Sequence, residues 1–116
     1  MKLDLRESKG VTILDIDGRI TAGGGEQVLQ EAIDTLVAAG RTRIVINLSG
    51  VDFMDSAGMG ELVASHRMVE RFGGKLKITR PHSRVENSLT TAKLLPLFEV
   101  FDDEEKAVDS FGAERP

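Results

Sequence analysis

Ser56 is the side chain best placed for chemistry. It sits in Val51-Asp52-Phe53-Met54-Asp55-Ser56-Ala57-Gly58-Met59-Gly60. Before it runs an apolar, largely β-branched stretch, Ile44-Val45-Ile46-Asn47-Leu48. After it comes an apolar stripe at helical spacing, Met59, Leu62, Val63, His66, Val69 and Phe72. The spacing predicts a strand that hands over to a helix at a single hydroxyl. Backbone N–H groups and the helix dipole favour negative charge at such a place, so a phosphate written on Ser56 would be tolerated by the fold.

Three chemistries suit that serine. The first is nucleophilic: strand, Ser, helix, with Gly58 two residues on, is close to the elbow Gly-x-Ser-x-Gly. Met54 occupies the first glycine position, where the tight turn needs a small residue. A base is also required. His66 is ten residues along the same helix, roughly 15 Å away by helical rise, and His82 follows the neighbouring strand. No acidic orienter stands in an obvious place. The second is a helix cap supplied by Asp55 or Ser56. The third is a phosphoacceptor. Ala57, Gly58 and Gly60 are small, and each glycine costs up to about 1 kcal/mol in a helix against alanine. Close approach by another protein, or tight packing within the fold, would offset that cost. Met54 and Met59 flank the site and are adaptable at binding surfaces, or fill the core.

Gly23-Gly24-Gly25 is a second candidate for phosphate binding. A Walker loop ends in Gly-Lys-Ser/Thr, whereas Glu26 and Gln27 follow here, and the third glycine of a dinucleotide fingerprint is missing. The stretch reads as a flexible joint, with Glu26 in a helix first turn.

The elements that position these residues follow from periodicity. Lys2–Glu7 alternates as a half-exposed strand, Ser8-Lys9-Gly10 turns, and Val11–Ile16 returns as its hairpin partner, closed by Gly18. Val28, Leu29, Ala32, Ile33, Leu36 and Val37 mark one face of a helix that ends at Ala39-Gly40. Arg41-Thr42-Arg43 opens the central strand. The Ser56 helix ends at Gly73-Gly74, and Leu76 and Ile78 give a fourth strand broken by Pro81. Ser83 with Glu86 has capping-box spacing and opens a helix through Val85, Leu89, Ala92 and Leu95, ended by Pro96. Glu99-Val100-Phe101 is a short last strand. Asp102–Glu105 is an acidic, solvated helix start, with Ala107, Val108 and Phe111 facing inward. The order β-β-α-β-α-β-α-β-α predicts an α/β fold, a single-domain mixed β-sheet packed with helices over residues 1–116. Strands two, three and four should be parallel where they neighbour one another. Their carboxyl edge would gather Arg19–Gly25, Asp52–Ser56 and Thr79–Ser83, the edge that ligands favour in open α/β sheets. Arg80 and Arg84 are candidates to pair with a phosphate there.

Composition narrows the classes. The 116 residues suit one domain. There is no cysteine, which removes disulfides, thiol catalysis and thiolate metal sites. Net charge is −4, with dispersed Lys and Arg and no Trp or Tyr, which argues against nucleic-acid binding. No apolar run is long enough to cross a bilayer, and the first residues lack a signal-peptide core, so a cytoplasmic location without membrane insertion is expected.

Val45-Ile46-Asn47-Leu48-Ser49-Gly50-Val51-Asp52-Phe53-Met54-Asp55-Ser56-Ala57-Gly58-Met59-Gly60 resembles the signature of STAS domains of the bacterial anti-sigma factor antagonist type. The likeness extends to Gly18-Arg19-Ile20, Gly73-Gly74-Lys75-Leu76 and Phe98-Glu99-Val100-Phe101. It implies a phosphorylation switch with no intrinsic catalysis and no cofactor. The unphosphorylated protein would bind a serine-kinase anti-sigma factor and free the sigma factor. The kinase would use its own ATP to phosphorylate Ser56, and a phosphatase would reset the switch. The resemblance places Thr21, Gly23, Met54, Asp55, Ala57, Gly58, Met59 and Gly60 at the partner surface. Many members carry Asp where this chain has Thr21 and Asn47. The family also includes subunits of lipid-transport and stressosome-like assemblies, which act as binding or scaffold modules.

Overall fold

A computed structural model describes residues 1–112. Strands β1 (Lys2–Ser8) and β2 (Val11–Ile20) form an antiparallel hairpin. Lys9 and Gly10, both at positive φ, make its turn. Two successive positive φ angles match the right-handed twist of the strands, and glycine adopts the second without steric cost. Helix α1 (Gly25–Ala38), strand β3 (Arg43–Met54), helix α2 (Ser56–Arg71), strand β4 (Lys75–Thr79), helix α3 (Ser83–Thr91), a 3₁₀ turn at Leu95–Leu97, strand β5 (Val100–Phe101) and helix α4 (Glu104–Ser110) follow.

The sheet order is β1-β2-β3-β4-β5, antiparallel at the first pair and parallel thereafter. The architecture is thus the mixed α/β sheet with helices expected from the pattern. Leu29, Ile33 and Leu36 of α1, Leu62 and Val69 of α2, and Val85 and Leu89 of α3 join the main core, which includes Leu14, Ile16, Ile44, Ile46, Leu76 and Ile78. Alternate residues of the same strands, Val11, Ile13 and Val45, meet Ala107 and Val108 of α4 and its C-cap Phe111 in a smaller cluster. Strand alternation assigns these clusters to opposite faces. The β-branched run Ile44–Ile46 is buried throughout because both faces are covered.

Several boundaries differ from the pattern reading. Strand β2 does not close at Gly18 but runs to Ile20, and β3 runs seven residues past Asn47 to Met54. Register shifts against β2 absorb Ser49-Gly50 and Asp52, residues that look like a turn in isolation. Strand β4 stops pairing at Asn47–Thr79, so the carboxyl edge is stepped. The apolar stripe of α2 does not extend to Phe72, the C-cap, which is 60% exposed, whereas Ser65 on the helix is buried and donates to Glu61 at 3.1 Å. The expected capping box at Ser83 is not made. His82 stands at the α3 N-cap, with no side-chain bond to the helix. Helix α3 stops at Thr91, and Leu95 belongs to the 3₁₀ turn.

Candidate functional site

Ser56 is the first residue of α2 and is exposed. Among the described residues no group hydrogen-bonds its hydroxyl. Asp55 immediately before it is the N-cap, with extended backbone that turns the chain from β3 into the helix. One carboxylate oxygen accepts from Gly58 N–H at 2.8 Å, and the other from Ala22 N–H at 3.0 Å. These two donors, Ala22 first, hold the Asp55 carboxyl below the usual carboxylate range. A carboxylate therefore already satisfies part of the anion-favouring helix end. It also ties the loop after β2 to the start of α2, a second tie being Asp55 N–H to Ile20 O at 3.4 Å.

That loop carries Thr21, half-buried, and Gly23, exposed at φ 90°. Glu26 turns back to accept from Gly24 N–H at 3.2 Å, and its own N–H donates to Thr21 O at 3.2 Å. The middle of the glycine run is thus tied to the helix entry through Gly24 N–H. Thr21, Gly23, Asp55, Ser56, Ala57, Met59 and Gly60 all retain exposed surface around one serine.

Met54 and Gly58 do not belong to that surface. Met54 is 2% exposed and part of the main core, because the end of β3 is covered by α2. Gly58 is buried, and a Cβ there would stand 1.9 Å from Ile20 O. Of the two explanations for small residues at the helix start, packing within the fold accounts for Gly58. A Cβ at Gly60 would meet nothing within 4 Å.

The nucleophile elbow is not assembled. The His66 ring meets Phe98 edge-on at 5.3 Å between centroids and lies 3.9 Å from Glu70. His82 caps α3. Neither hydrogen-bonds Ser56. Among the described residues there is no cluster of three or more metal-ligating side chains, and no helix is long and apolar enough to cross a membrane.

The two arginine candidates separate. Arg80 sits beyond the last β3–β4 pair, roughly 20 Å short of the β3 end by strand rise, and its Nε donates to Asp102 O at 3.3 Å. Arg84 lines a groove of about 670 Å³ together with Met59, Asn87, Ser88 and Thr91. The pattern reading did not find this groove. Its signal was present in the 84, 87, 88, 91 spacing of polar residues on one helix face.

Asn47 is part-buried, and its side chain is bonded within the fold. Its amide donates to Asp15 at 2.8 Å, and its side-chain oxygen accepts from Ser49 N–H at 3.1 Å. Arg6 holds Asp15 from the other side and reaches Glu104 of α4.

Comparison with known proteins agrees with this geometry. The STAS domain family matches residues 2–107. The anti-sigma F factor antagonist of Paenibacillus polymyxa is 20% identical over 108 residues, 93% of this chain and 92% of that protein. An anti-sigma factor antagonist from Mycobacterium paratuberculosis superposes with a TM-score of 0.81 at 21% identity, covering 94% of this chain and 92% of its own. The anti-sigma factor antagonist SpoIIAA in its unphosphorylated form gives 0.73 at 22% identity, covering 95% and 97%. Its phosphorylated form, described as a Bacillus cell fate determinant, gives 0.72 at 21% identity, covering 95% and 99%. These likenesses to solved structures establish the fold, and the family match establishes membership: the chain belongs to the STAS domain family.

Proposed function

We propose that this protein is a phosphorylation-switched binding protein of the anti-sigma factor antagonist type. In its unmodified form it docks on a serine-kinase anti-sigma factor through Ser56, Ala57, Met59, Gly60 and the Thr21–Gly23 loop, and the sigma factor is freed. The kinase transfers the γ-phosphoryl group of its bound ATP to the Ser56 oxygen. ADP leaves, the hydroxyl proton is released, and the complex separates. A phosphatase hydrolyses the phosphoserine and restores the binding form. Residues 1–116 act as one domain in this reading.

The observation that carries the proposal is an exposed serine hydroxyl with no partner among the described residues, at the head of a helix that begins at the carboxyl end of β3. A relative in the family, SpoIIAA, has been solved in both phosphorylated and unphosphorylated forms. Phosphorylation adds about −1.5 to −2 charge at neutral pH. In solution the helix end accommodates it. In a docked interface it must lose water beside the Asp55 carboxylate, and each tenfold loss of affinity needs only about 1.4 kcal/mol.

The test is reconstitution with the serine-kinase anti-sigma factor from the same organism and ATP. Phosphosite mapping should return Ser56 alone. Ser56→Ala should bind without being modified, and Ser56→Glu should bind at least tenfold more weakly. Equal binding by both variants and the parent would remove Ser56 from the interface. A chain recovered unmodified within a stable multi-subunit complex would instead indicate a scaffold role in a lipid-transport or stressosome-like assembly.

A further inference from the structure

The groove between α2 and α3 has an unusual charge balance for a protein of net charge −4. Its lining is Met59, Ser83, Arg84, Asn87, Ser88, Thr91 and Ala92, with no carboxylate. Arg84 is the one charged side chain in it. Arg84 is exposed, and among the described residues its guanidinium has no ion-pair or hydrogen-bond partner. On that α3 face Ser88 Oγ donates to Arg84 O at 3.0 Å, and on the opposite face Val85 and Leu89 are buried in the core. The helix is therefore fixed while the Arg84 side chain is free to swing over the groove.

Across the groove stands Met59, three residues after Ser56. Residues at that spacing are neighbours on a helix surface, about 5–6 Å apart at Cβ. Ser56 thus lies one helical step from the wall that Arg84 faces. The nearest carboxylate to Ser56 in sequence, Asp55, is already committed to Ala22 and Gly58. Arg80 is removed by the stepped sheet edge and held at Asp102.

We propose that Arg84 receives the phosphate of modified Ser56 within the same molecule, swinging across the groove to form a charge-assisted pair. This rests on the reading of Ser56 as phosphoacceptor. A planar guanidinium is matched to two phosphate oxygens at once, which lysine is not. The modified form then neutralises part of its own new charge and closes the groove beside Met59. The modification would alter the surface on the α3 side of the serine as well as at the serine itself.

The experiment installs phosphoserine at position 56 of the full chain during translation and follows its phosphorus resonance against pH. An opposite charge within hydrogen-bond reach lowers an acid's pKa. Arg84→Gln should therefore raise the second phosphate ionisation by about 1 unit relative to the unsubstituted phosphoprotein, a size typical of such pairs. Arg84→Lys should fall between the two, and Arg80→Gln should leave the curve unchanged. A curve for Arg84→Gln that superimposes on that of the unsubstituted phosphoprotein overturns the proposal. So does an equal shift from Arg80→Gln, which would mark a general field and not a pair. Amide spectra of each variant verify the fold. No kinase or partner is needed, so a negative result sinks the pairing alone. A partner that binds phosphorylated and unmodified chains equally would sink the functional reading instead.

Discussion

The Asp55 carboxylate accepts the backbone N–H of Ala22, thirty-three residues earlier in the chain, at 3.0 Å. The same carboxylate caps α2 through Gly58 N–H at 2.8 Å. One side chain therefore links the Ser56 helix and the Thr21–Gly23 loop, the two parts of the proposed docking face. Asp55→Ala should lower Tm by roughly 4–8 °C, the effect of a lost cap, and should sharpen and shift the Thr21–Gly24 amide resonances as the loop detaches. Asp55→Asn should retain most of both. The pH dependence has a definite sign. The folded pKa lies below the unfolded value near 3.9. The contribution is complete above about pH 5 and is lost as pH falls through the unfolded value towards the folded one. The stability difference between wild type and Asp55→Ala, followed by thermal melts from pH 7 to pH 3, should shrink in that window.

Gly58 and Gly60 have opposite reasons for being small. A methyl at Gly58 would stand 1.9 Å from Ile20 O and 3.0 Å from the Met54 side chain. Ile20 O belongs to a strand and cannot withdraw. Gly58→Ala should cost at least about 1–3 kcal/mol, as overpacking does. Gly60→Ala meets nothing within 4 Å, so it should gain up to about 1 kcal/mol from helix propensity. Urea denaturation of the two variants checks this. A stabilised Gly60→Ala that also loses affinity for its partner would locate the missing side chain at an interface.

Asn47 is matched to its surroundings as an amide. It donates to Asp15 at 2.8 Å, while Arg6 holds the same carboxylate and is the largest cause of its lowered pKa. Asn47→Asp would set two carboxylates face to face. Like charges raise one of the two pKa values, so the variant's deficit appears as pH rises through that raised value and fades as pH falls towards 4. At pH 7 the cost should be about 1 kcal/mol, reduced by the solvent that reaches this site. Urea midpoints at pH 7 and pH 4.5 should therefore diverge and converge respectively.

Among the described residues the local periodicities located the five strands and four α-helices, though not the 3₁₀ turn at Leu95–Leu97, and the β-strand before Ser56 together with the apolar stripe after it placed that serine at a strand-to-helix junction. What stayed hidden depends on contacts between distant segments. The apolar run stops at Leu48, and nothing local announces that β2 will carry β3 past Ser49-Gly50 with shifted register. Met54 looks like a surface methionine beside the candidate serine, yet it is core because α2 folds back over the strand end. The step between β3 and β4 leaves Arg80 roughly 20 Å short of the β3 end, although β4 runs beside β3 up to Thr79. The Asp55–Ala22 bond spans two loops and leaves no periodic signal. Ser83 and Glu86 had capping-box spacing, but α3 starts with His82 as its N-cap and no side-chain bond is made.

Lys77 is the plainest case of a residue whose role is set by tertiary packing. In a five-residue strand a lysine between Leu76 and Ile78 reads as solvent-facing, but α4 covers that face and leaves it 1% exposed. Its ammonium reaches Ser110 Oγ at 2.7 Å and Glu99 at 3.0 Å, and lies 4.3 Å from the Phe111 ring centre. The alkyl stem fills volume under α4 while the charge binds the helix's last turn. Removing a buried ion from water is costly, and an apolar side chain of like volume often replaces it without loss. Ser110 keeps a partner without the lysine, since its hydroxyl donates to Ala107 O at 2.6 Å. Lys77→Met should therefore stay within about 1 kcal/mol of wild type, whereas Lys77→Ala leaves a cavity and should cost about 2–4 kcal/mol. Hydrogen exchange should show the Ala variant losing protection in α4 first. Equal destabilisation by Met and Ala would mean that the ammonium's bonds, and not the filled volume, hold the last helix to the sheet.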